Sequence, residues 1–264
     1  MEKIFAKKSL GQNFLKSKTA LYAMVKAGDI SASDIVLEIG PGQGALTEKL
    51  LETGAKIIAV EKDDRLIEFL QEKFAKEIND GQFKLIHSDI LELDLHSLSL
   101  KANSYKLIAN IPYYITGQIF RKFLSGNIQP TKLVMMVQKE IADRIIARDG
   151  KESLLSLSVK VYGTPKKIMK VEKENFSPKP KVDSAILLVD NISKDFFSDN
   201  ITEEKFFEII KAGFAHKRKV LSANLKELLR NDVQKLFTMA HIPEKARAED
   251  LTLENWKDLI ILAK

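Results

Sequence analysis

Over roughly its first 190 residues the chain alternates short runs of β-type residues with longer amphipathic stretches, and nothing else limits the fold so strongly. The β-type runs stand at 35–39, 56–61, 83–87, 105–109, 132–137, 167–171 and 184–189. Helical patterns lie between them near 44–53, 63–77, 116–125, 139–147 and 153–162. Strands joined by helical crossovers build a mostly parallel sheet, so the pattern predicts an α/β, Rossmann-like domain. The last two runs are separated by E-K-E-N-F-S-P-K-P-K-V-D, too short for a helical crossover, which predicts a hairpin and one antiparallel edge. The polar stretch D-N-I-S-K-D-F-F-S-D-N then closes the domain. The expected boundaries are 1–190 for the sheet domain, 191–200 for a linker and 201–264 for a small all-α C-terminal domain. Helices are expected there near 202–215, 217–230, 232–240 and 252–263, with Thr202 at a helix start and Pro243 between two helices.

Hydrophobic content of 45% and charged content of 30% describe a folded globular chain rather than a disordered one. No apolar run reaches the ~20 residues a membrane helix needs, and the first residues, M-E-K-I-F-A-K-K-S-L, lack the apolar core of a signal peptide. With no cysteine there are no disulfides and no thiolate metal ligands, which fits a cytoplasmic setting. The four histidines, at 87, 96, 216 and 241, show no ligand spacing, so no metal is expected. The net charge is +6, and its placement says more than its size. Lysines cluster near the start (Lys3, Lys7, Lys8), in the middle (Lys166, Lys167, Lys170, Lys179, Lys181) and in H-K-R-K at 216–219 (Lys217, Arg218, Lys219). Such clusters are the footprint of a polyanion partner, or simply of a solvated surface.

Two motifs carry chemistry. V-L-E-I-G-P-G-Q-G at 36–44 places Gly40, Gly42 and Gly44 behind a strand and ahead of a helix, where bare backbone can turn tightly and let a ligand approach. The spacing is neither the dinucleotide fingerprint nor a phosphate-binding P-loop. Glu61 ends the next strand about 20 residues on, where a carboxylate takes ribose hydroxyls, and such a bond contributes roughly 1.5–3 kcal/mol. Asp89 ends the third strand and can accept from an adenine amino group while the Ile90 N–H faces the ring. Asn110 ends the fourth strand. Four such residues on one sheet edge mark the place where open α/β sheets bind ligands.

The second motif is N-I-P-Y at 110–113. Pro112 holds Ile111 extended and aims its carbonyl outwards, and Asn110 adds a side-chain oxygen. Two acceptors match the two hydrogens of an exocyclic amine. Holding both out of the ring plane turns the lone pair of nitrogen towards an electrophilic methyl. Tyr113 can stack on the base, worth on the order of 1–3 kcal/mol. Pro178 and Pro180 stiffen the loop before the last strand and are expected to present Phe176 to the base's other face. No protein general base is evident, and none is required once the attacked amine has become acidic.

These residues resemble a known family. K-K-S-L-G-Q-N-F-L at 7–15, V-L-E-I-G-P-G-Q-G-A-L-T, V-E-K-D, H-S-D-I-L, N-I-P-Y, F-S-P-K-P-K-V-D-S-A and F-A-H-K-R-K-V-L together resemble the ribosomal RNA adenine N6-dimethyltransferases, in their housekeeping small-subunit branch. The resemblance runs nearly end to end. It implies a class I methyltransferase fold and S-adenosyl-L-methionine as methyl donor. Asn13 and Leu15 would close over that cofactor, Gly40 would lie under its methionine part, Glu61 would hold its ribose and Asp89 its adenine. Asn110 would stand between cofactor and target. The implied target is a pair of adjacent adenosines in the last hairpin loop of 16S rRNA, within an assembling 30S subunit, and the implied state is a monomer with a possible checkpoint role in ribosome biogenesis. Lys7, Lys8, Lys179, Lys217, Arg218 and Lys219 are the expected RNA contacts. Tyr114, Thr116 and Lys179 depart from the commonest family residues without touching a chemical role.

The sister branch, which dimethylates a 23S rRNA adenosine and confers macrolide resistance, shares every cofactor motif; the C-terminal F-A-H-K-R-K-V-L-S-A-N-L favours the housekeeping branch. A DNA adenine methyltransferase would carry proline at Ile111. An RNA-binding assembly factor with secondary catalysis would share the basic clusters. An NAD oxidoreductase is disfavoured by the glycine spacing.

Overall fold

Parallel strands covered on both faces are near-continuous apolar runs, and Ile35–Ile39 (I-V-L-E-I), apolar but for Glu38, is such a strand, buried from Val36 to Ile39. The computed structural model describes residues 5–198, 200–229 and 233–263. Its strands are β1 (Phe14–Leu15), β2 (Ile35–Ile39), β3 (Lys56–Glu61), β4 (Phe83–His87), β5 (Lys106–Ala109), β6 (Lys132–Gln138), β7 (Thr164–Val171), β8 (Phe176–Ser177) and β9 (Ser184–Asp190). The helices that precede β9 in sequence are α1 (Lys18–Gly28), α2 (Ala45–Leu51), α3 (Asp64–Lys73), α4 (Ala75–Asn79), α5 (Thr116–Leu124), α6 (Lys139–Ile145) and α7 (Leu154–Lys160). After them come α8 (Glu203–Gly213), α9 (Leu221–Leu229), α10 (Val233–Met239) and α11 (Leu253–Leu262).

Seven strands form one sheet in the order β4-β3-β2-β5-β6-β9-β7. The first five are parallel, whereas β9 runs antiparallel to both β6 and β7. The expected hairpin is therefore present, with β9 inserted between β6 and the edge strand. At that edge β7 (T-P-K-K-I-M-K-V) alternates exposed and half-buried residues, and its lysines discourage pairing with another chain. A second ladder has only two strands: β1 pairs with β8, Phe14 opposite Ser177 and Leu15 opposite Phe176.

Helix α1 had no counterpart among the expected helices. Ser17 caps it, its hydroxyl accepting the Ala20 N–H at 3.3 Å, and Ala20, Leu21, Met24 and Gly28 form the buried side. A Cβ at Gly28 would lie 2.8 Å from Ile108 Cδ1, so glycine lets α1 settle closely onto β5.

The chain divides into two compact units, residues 1–142 with 164–192 and residues 143–163 with 193–264. The segment 143–163 thus groups with the C-terminal helices rather than with the sheet that surrounds it in sequence. Within that second unit Tyr162 stacks on Phe207 at 6.4 Å and donates its hydroxyl hydrogen to Glu203, and the Glu152 N–H donates to the Glu249 carbonyl. Nor is 191–200 a bare linker, because Phe196 and Phe197 pack edge-on against Phe206. Thr202 caps α8 through the Lys205 N–H. Trp256 is fully buried and stacks on Phe214 at 5.9 Å. No helix among the described residues is long and apolar enough to cross a membrane.

Candidate active site

Because β4, β3, β2 and β5 pair in parallel and in register, their carboxyl ends lie side by side. Together with the N-terminal segment they border a cleft of about 840 Å³, the size of a small-molecule site. Asn13, Leu15, Gly40, Gly42, Glu61, Asp89, Ile90, Asn110, Ile111 and Pro112 all line it.

The three glycines of the turn are all left-handed, with φ of 67° at Gly40, 59° at Gly42 and 79° at Gly44. A Cβ at Gly44 would stand 2.6 Å from the Phe74 ring, so that glycine is there for packing. At Gly40 a Cβ would meet only Ile111 Cγ2 at 3.7 Å and the Asn110 carbonyl oxygen at 3.9 Å. Gly40 therefore keeps open the space between the turn and the N-I-P-Y strand end.

Glu61 is buried at the end of β3, and its carboxylate accepts three backbone N–H bonds: Gly42 at 3.1 Å, Lys62 at 2.9 Å and Asp63 at 2.9 Å. Burial pushes its carboxyl up, and the three bonds only partly offset this. A carboxylate offers about four acceptor positions, so one remains for a ligand hydroxyl even with the turn in place. At the end of β4, Asp89 takes the Leu91 N–H at 2.9 Å and the Lys62 ammonium at 2.6 Å. Burial would raise its carboxyl, but those two bonds outweigh it and hold the group below the usual carboxylate range. Lys122 on α5 donates to the Leu91 and Leu93 carbonyls at 3.1 and 2.6 Å and so steadies the loop beyond Asp89.

Glu38 lies beneath the turn on β2. It is 1% exposed, accepts the Thr47 hydroxyl at 2.7 Å, and its Oε1 has no hydrogen-bond partner among the described residues. Burial, with the charge of Glu61 adding to it, pushes its carboxyl up to about 8.

The opposite wall is the N-terminal segment. Its β1 is held by β8 and by the Lys16 N–H on the Asn175 carbonyl at 2.8 Å. Ahead of β1, Gln12 donates from Nε2 to Asp63 at 2.8 Å and accepts the Lys7 N–H at 2.8 Å. Arg65 grips the same Asp63 at 2.6 and 2.9 Å and reaches the Phe5 carbonyl at 3.4 Å. The Arg65 guanidinium, with help from Gln12, holds the Asp63 carboxyl down at about 2 despite its burial. Asp63 therefore joins the strap to the strand that carries Glu61. Neither Gln12, Asp63 nor Arg65 stood out in the sequence as a site residue, since the first two are 51 positions apart.

Two expected residues lie elsewhere. Phe176 is 3% exposed and packs with Leu15 in the sheet's hydrophobic core; Ser177 and Pro178 line the cleft instead. The β1–β8 ladder turns the ring inwards, so Phe176 is an anchor and not a face for a base. Tyr113 is half-buried with its hydroxyl 2.6 Å from Ser184 Oγ, and Tyr114, 66% exposed, lines the cleft in its stead. Lys7 is exposed, the side chain of Lys8 lies outside the described residues, and exposed Lys179 pairs with Glu174. Lys217, Arg218 and Lys219 sit exposed in the turn between α8 and α9 of the second unit.

The cleft thus unites a glycine turn, two acceptor carboxylates and the N-I-P-Y strand end. The family model for ribosomal RNA adenine dimethylase matches residues 4–264. The chain belongs to this family. The ribosomal RNA small subunit methyltransferase A of Dehalococcoides mccartyi (strain CBDB1) is 42% identical over 259 residues, which cover 97% of this chain and 88% of that relative. The protein of the same name from Fusobacterium nucleatum is 37% identical, covering 96% of each. Among solved structures, a dimethyladenosine transferase from Plasmodium falciparum superposes with a TM-score of 0.76 at 26% identity, over 93% of this dimethylase and 95% of that chain. The 23S rRNA methyltransferase ErmE gives 0.77 at 23% identity, over 94% and 98%, a likeness of fold alone.

Proposed function

We propose that this dimethylase transfers methyl groups from S-adenosyl-L-methionine to the N6 amino groups of two adjacent adenosines in the 3′-terminal hairpin loop of 16S rRNA. The observation that carries the reading is the meeting of its two motifs, with the Asn110 carbonyl 3.9 Å from where a Gly40 Cβ would stand. The 42% identity to a small subunit methyltransferase, along nearly the whole chain, supports the small-subunit target over 23S rRNA. We place the reaction on an assembling 30S subunit in the cytoplasm, with the enzyme acting as a monomer and checking subunit maturation as it binds.

The cofactor fits the residues present. Bare backbone at Gly40 makes room for it, Glu61 keeps an acceptor for a ribose hydroxyl, and Asp89 can take an adenine amino group by displacing Lys62. When bound it supplies the electrophilic methyl. The chain's own part is positioning. The Asn110 side-chain oxygen and the Ile111 carbonyl hold the two hydrogens of the base's amine. The base must leave its stack to reach the cleft, at a cost of a few kcal/mol that a hairpin loop lowers. Glu61, Asp89 and Asp63 are all engaged in holding the site, so the released proton passes to water, and near-attack geometry accounts for most of the acceleration.

The test is methyl transfer from labelled S-adenosyl-L-methionine to small subunits lacking the dimethyladenosines, beside protein-free 23S rRNA. Recovery of N6,N6-dimethyladenosine from small subunits is expected. Label only in 23S rRNA would place this chain with the resistance enzymes, and label in neither would leave it an RNA-binding assembly factor.

A further inference from the structure

Helix α1, K-T-A-L-Y-A-M-V-K-A-G, carries two lysines and no acidic residue. Lys18, Tyr22 and Lys26 follow one another at four-residue steps and so share a face, about 12 Å long at 1.5 Å per residue. The other side of the helix is buried through Ala20, Leu21, Met24 and Gly28. Tyr22 stands 52% exposed in the middle of the lysine face, and nothing in the fold requires an aromatic ring there. From α2, the Lys49 ammonium reaches to 5.0 Å from the Tyr22 ring centroid while pairing with Glu52. Exposed Lys16 lies just ahead of the helix and lines the cleft together with Leu21, so the patch begins at the cleft mouth. The one carboxylate at its far end, Asp29, pairs with Lys132 at 3.4 Å.

We infer that Lys16, Lys18, Tyr22, Lys26 and Lys49 form a contact surface for single-stranded RNA flanking the target base. The inference rests on the reading that the substrate is RNA. The ammonium groups take phosphates as point charges and Tyr22 takes a base by stacking, so the surface adds affinity and register without reading sequence. An RNA strand fits better than a protein partner, because α1 carries lysines and no carboxylate around its one exposed ring, and the neighbouring Glu52 and Asp29 are paired with Lys49 and Lys132.

The test compares wild type with Lys18→Ala/Lys26→Ala, Tyr22→Ala and Tyr22→Phe. Alanine favours an exposed helix, so these changes leave the fold intact. Steady-state methylation of small subunits is measured across a salt series, beside binding of a fluorescent oligoadenylate and of cofactor. The double variant should raise KM for subunits roughly five- to tenfold with kcat and cofactor Kd unchanged. It should also lower the slope of log K against log salt for the oligonucleotide by about 1.4, at ~0.7 per lost phosphate contact on a single strand. Tyr22→Ala should weaken oligoadenylate binding at least fivefold, and Tyr22→Phe should restore it. Unchanged KM, slope and oligonucleotide affinity would overturn the inference. Loss of subunit affinity with oligonucleotide binding intact would overturn it too, in favour of a protein contact. Should wild type methylate neither RNA, the proposed function fails, while the oligonucleotide series still decides the surface.

Discussion

The two walls of the cleft are built in different ways. One is the carboxyl edge of the sheet, where Gly40, Glu61, Asp89 and Asn110 stand at or just past the ends of four parallel strands, of which the two nearest the sheet's middle, β2 and β5, are buried almost throughout; Val36, Leu37, Leu107 and Ile108 are each 0% exposed. The other is the N-terminal strap, held by a two-residue ladder at one end and by Gln12, Asp63 and Arg65 at the other. Moving the first wall means disturbing the core along four strands, whereas moving the second breaks a few hydrogen bonds worth about 1 kcal/mol each and unseats Leu15 from beside Phe176. The contrast assigns fixed placement of the ligand to the sheet and admission of the ligand to the strap.

The sharpest way to break this contrast is Glu61→Ala. It removes the proposed ribose acceptor and leaves three backbone N–H groups without their partner, so cofactor affinity should fall roughly 10- to 150-fold, for a loss of about 1.5–3 kcal/mol, with a clear drop in Tm. Titration calorimetry and a thermal melt read both; affinity lost without a change in Tm would mean that the carboxylate does not hold the turn.

Gly44→Ala attacks the same wall without touching the ligand. A left-handed φ of 79° and the Phe74 ring at 2.6 Å make alanine strained, and a loss of about 1–3 kcal/mol in stability is expected in urea melts. Cofactor Kd in the folded fraction should change less than threefold.

Glu38→Gln should act in the opposite direction. With its carboxyl raised to about 8 by burial, folded Glu38 stays protonated while the unfolded chain ionises near the ordinary value of 4.5. The folded state therefore loses stability as pH rises from about 4.5 to 8, by at most ~1.4 kcal/mol per pH unit for one proton. Glutamine should flatten that slope, and a Tm-against-pH profile parallel to wild type would refute the assignment.

The smallest effect is expected at the strap. Gln12→Ala should leave Tm within a degree or two yet weaken cofactor roughly tenfold, for the ~1.5 kcal/mol at the low end of a hydrogen bond to a charged group. It should also speed hydrogen exchange over residues 5–16. A loss of stability as large as that of Gly44→Ala would erase the distinction between the walls.

The same division decides what could be read from sequence. Strands β2, β3 and β4 were legible to the residue because each is a short, mainly apolar run bounded by polar or glycine-bearing turns, largely buried in β2 and β3 and half-exposed at the edge in β4. Gly40, Glu61, Asp89 and Asn110 were legible as a set because each follows such a run. The strap was not, since its bonds join residues far apart: Gln12 meets Asp63, and Leu15 pairs with Phe176. Two prolines beside Phe176 suggested outward presentation, but a two-residue ladder formed across the whole sheet domain turned the ring inwards. Helix α1 escaped because its apolar positions, 20, 21, 24 and 28, lie in a stretch whose lysines, threonine and tyrosine blur the periodicity.

Strand β9 slots between β6 and β7, and the chain between those two neighbours contributes residues 143–163 to the helical unit. That unit is therefore no cassette. Cutting the chain after residue 192 would remove Phe197, Phe207, Glu203 and Glu249 while leaving Tyr162 and Glu152 behind without them. Exchanging the helical unit between relatives would need two grafts at once, one inside the sheet's sequence and one beyond it. A lineage could then change its target more readily by altering surface residues than by trading domains.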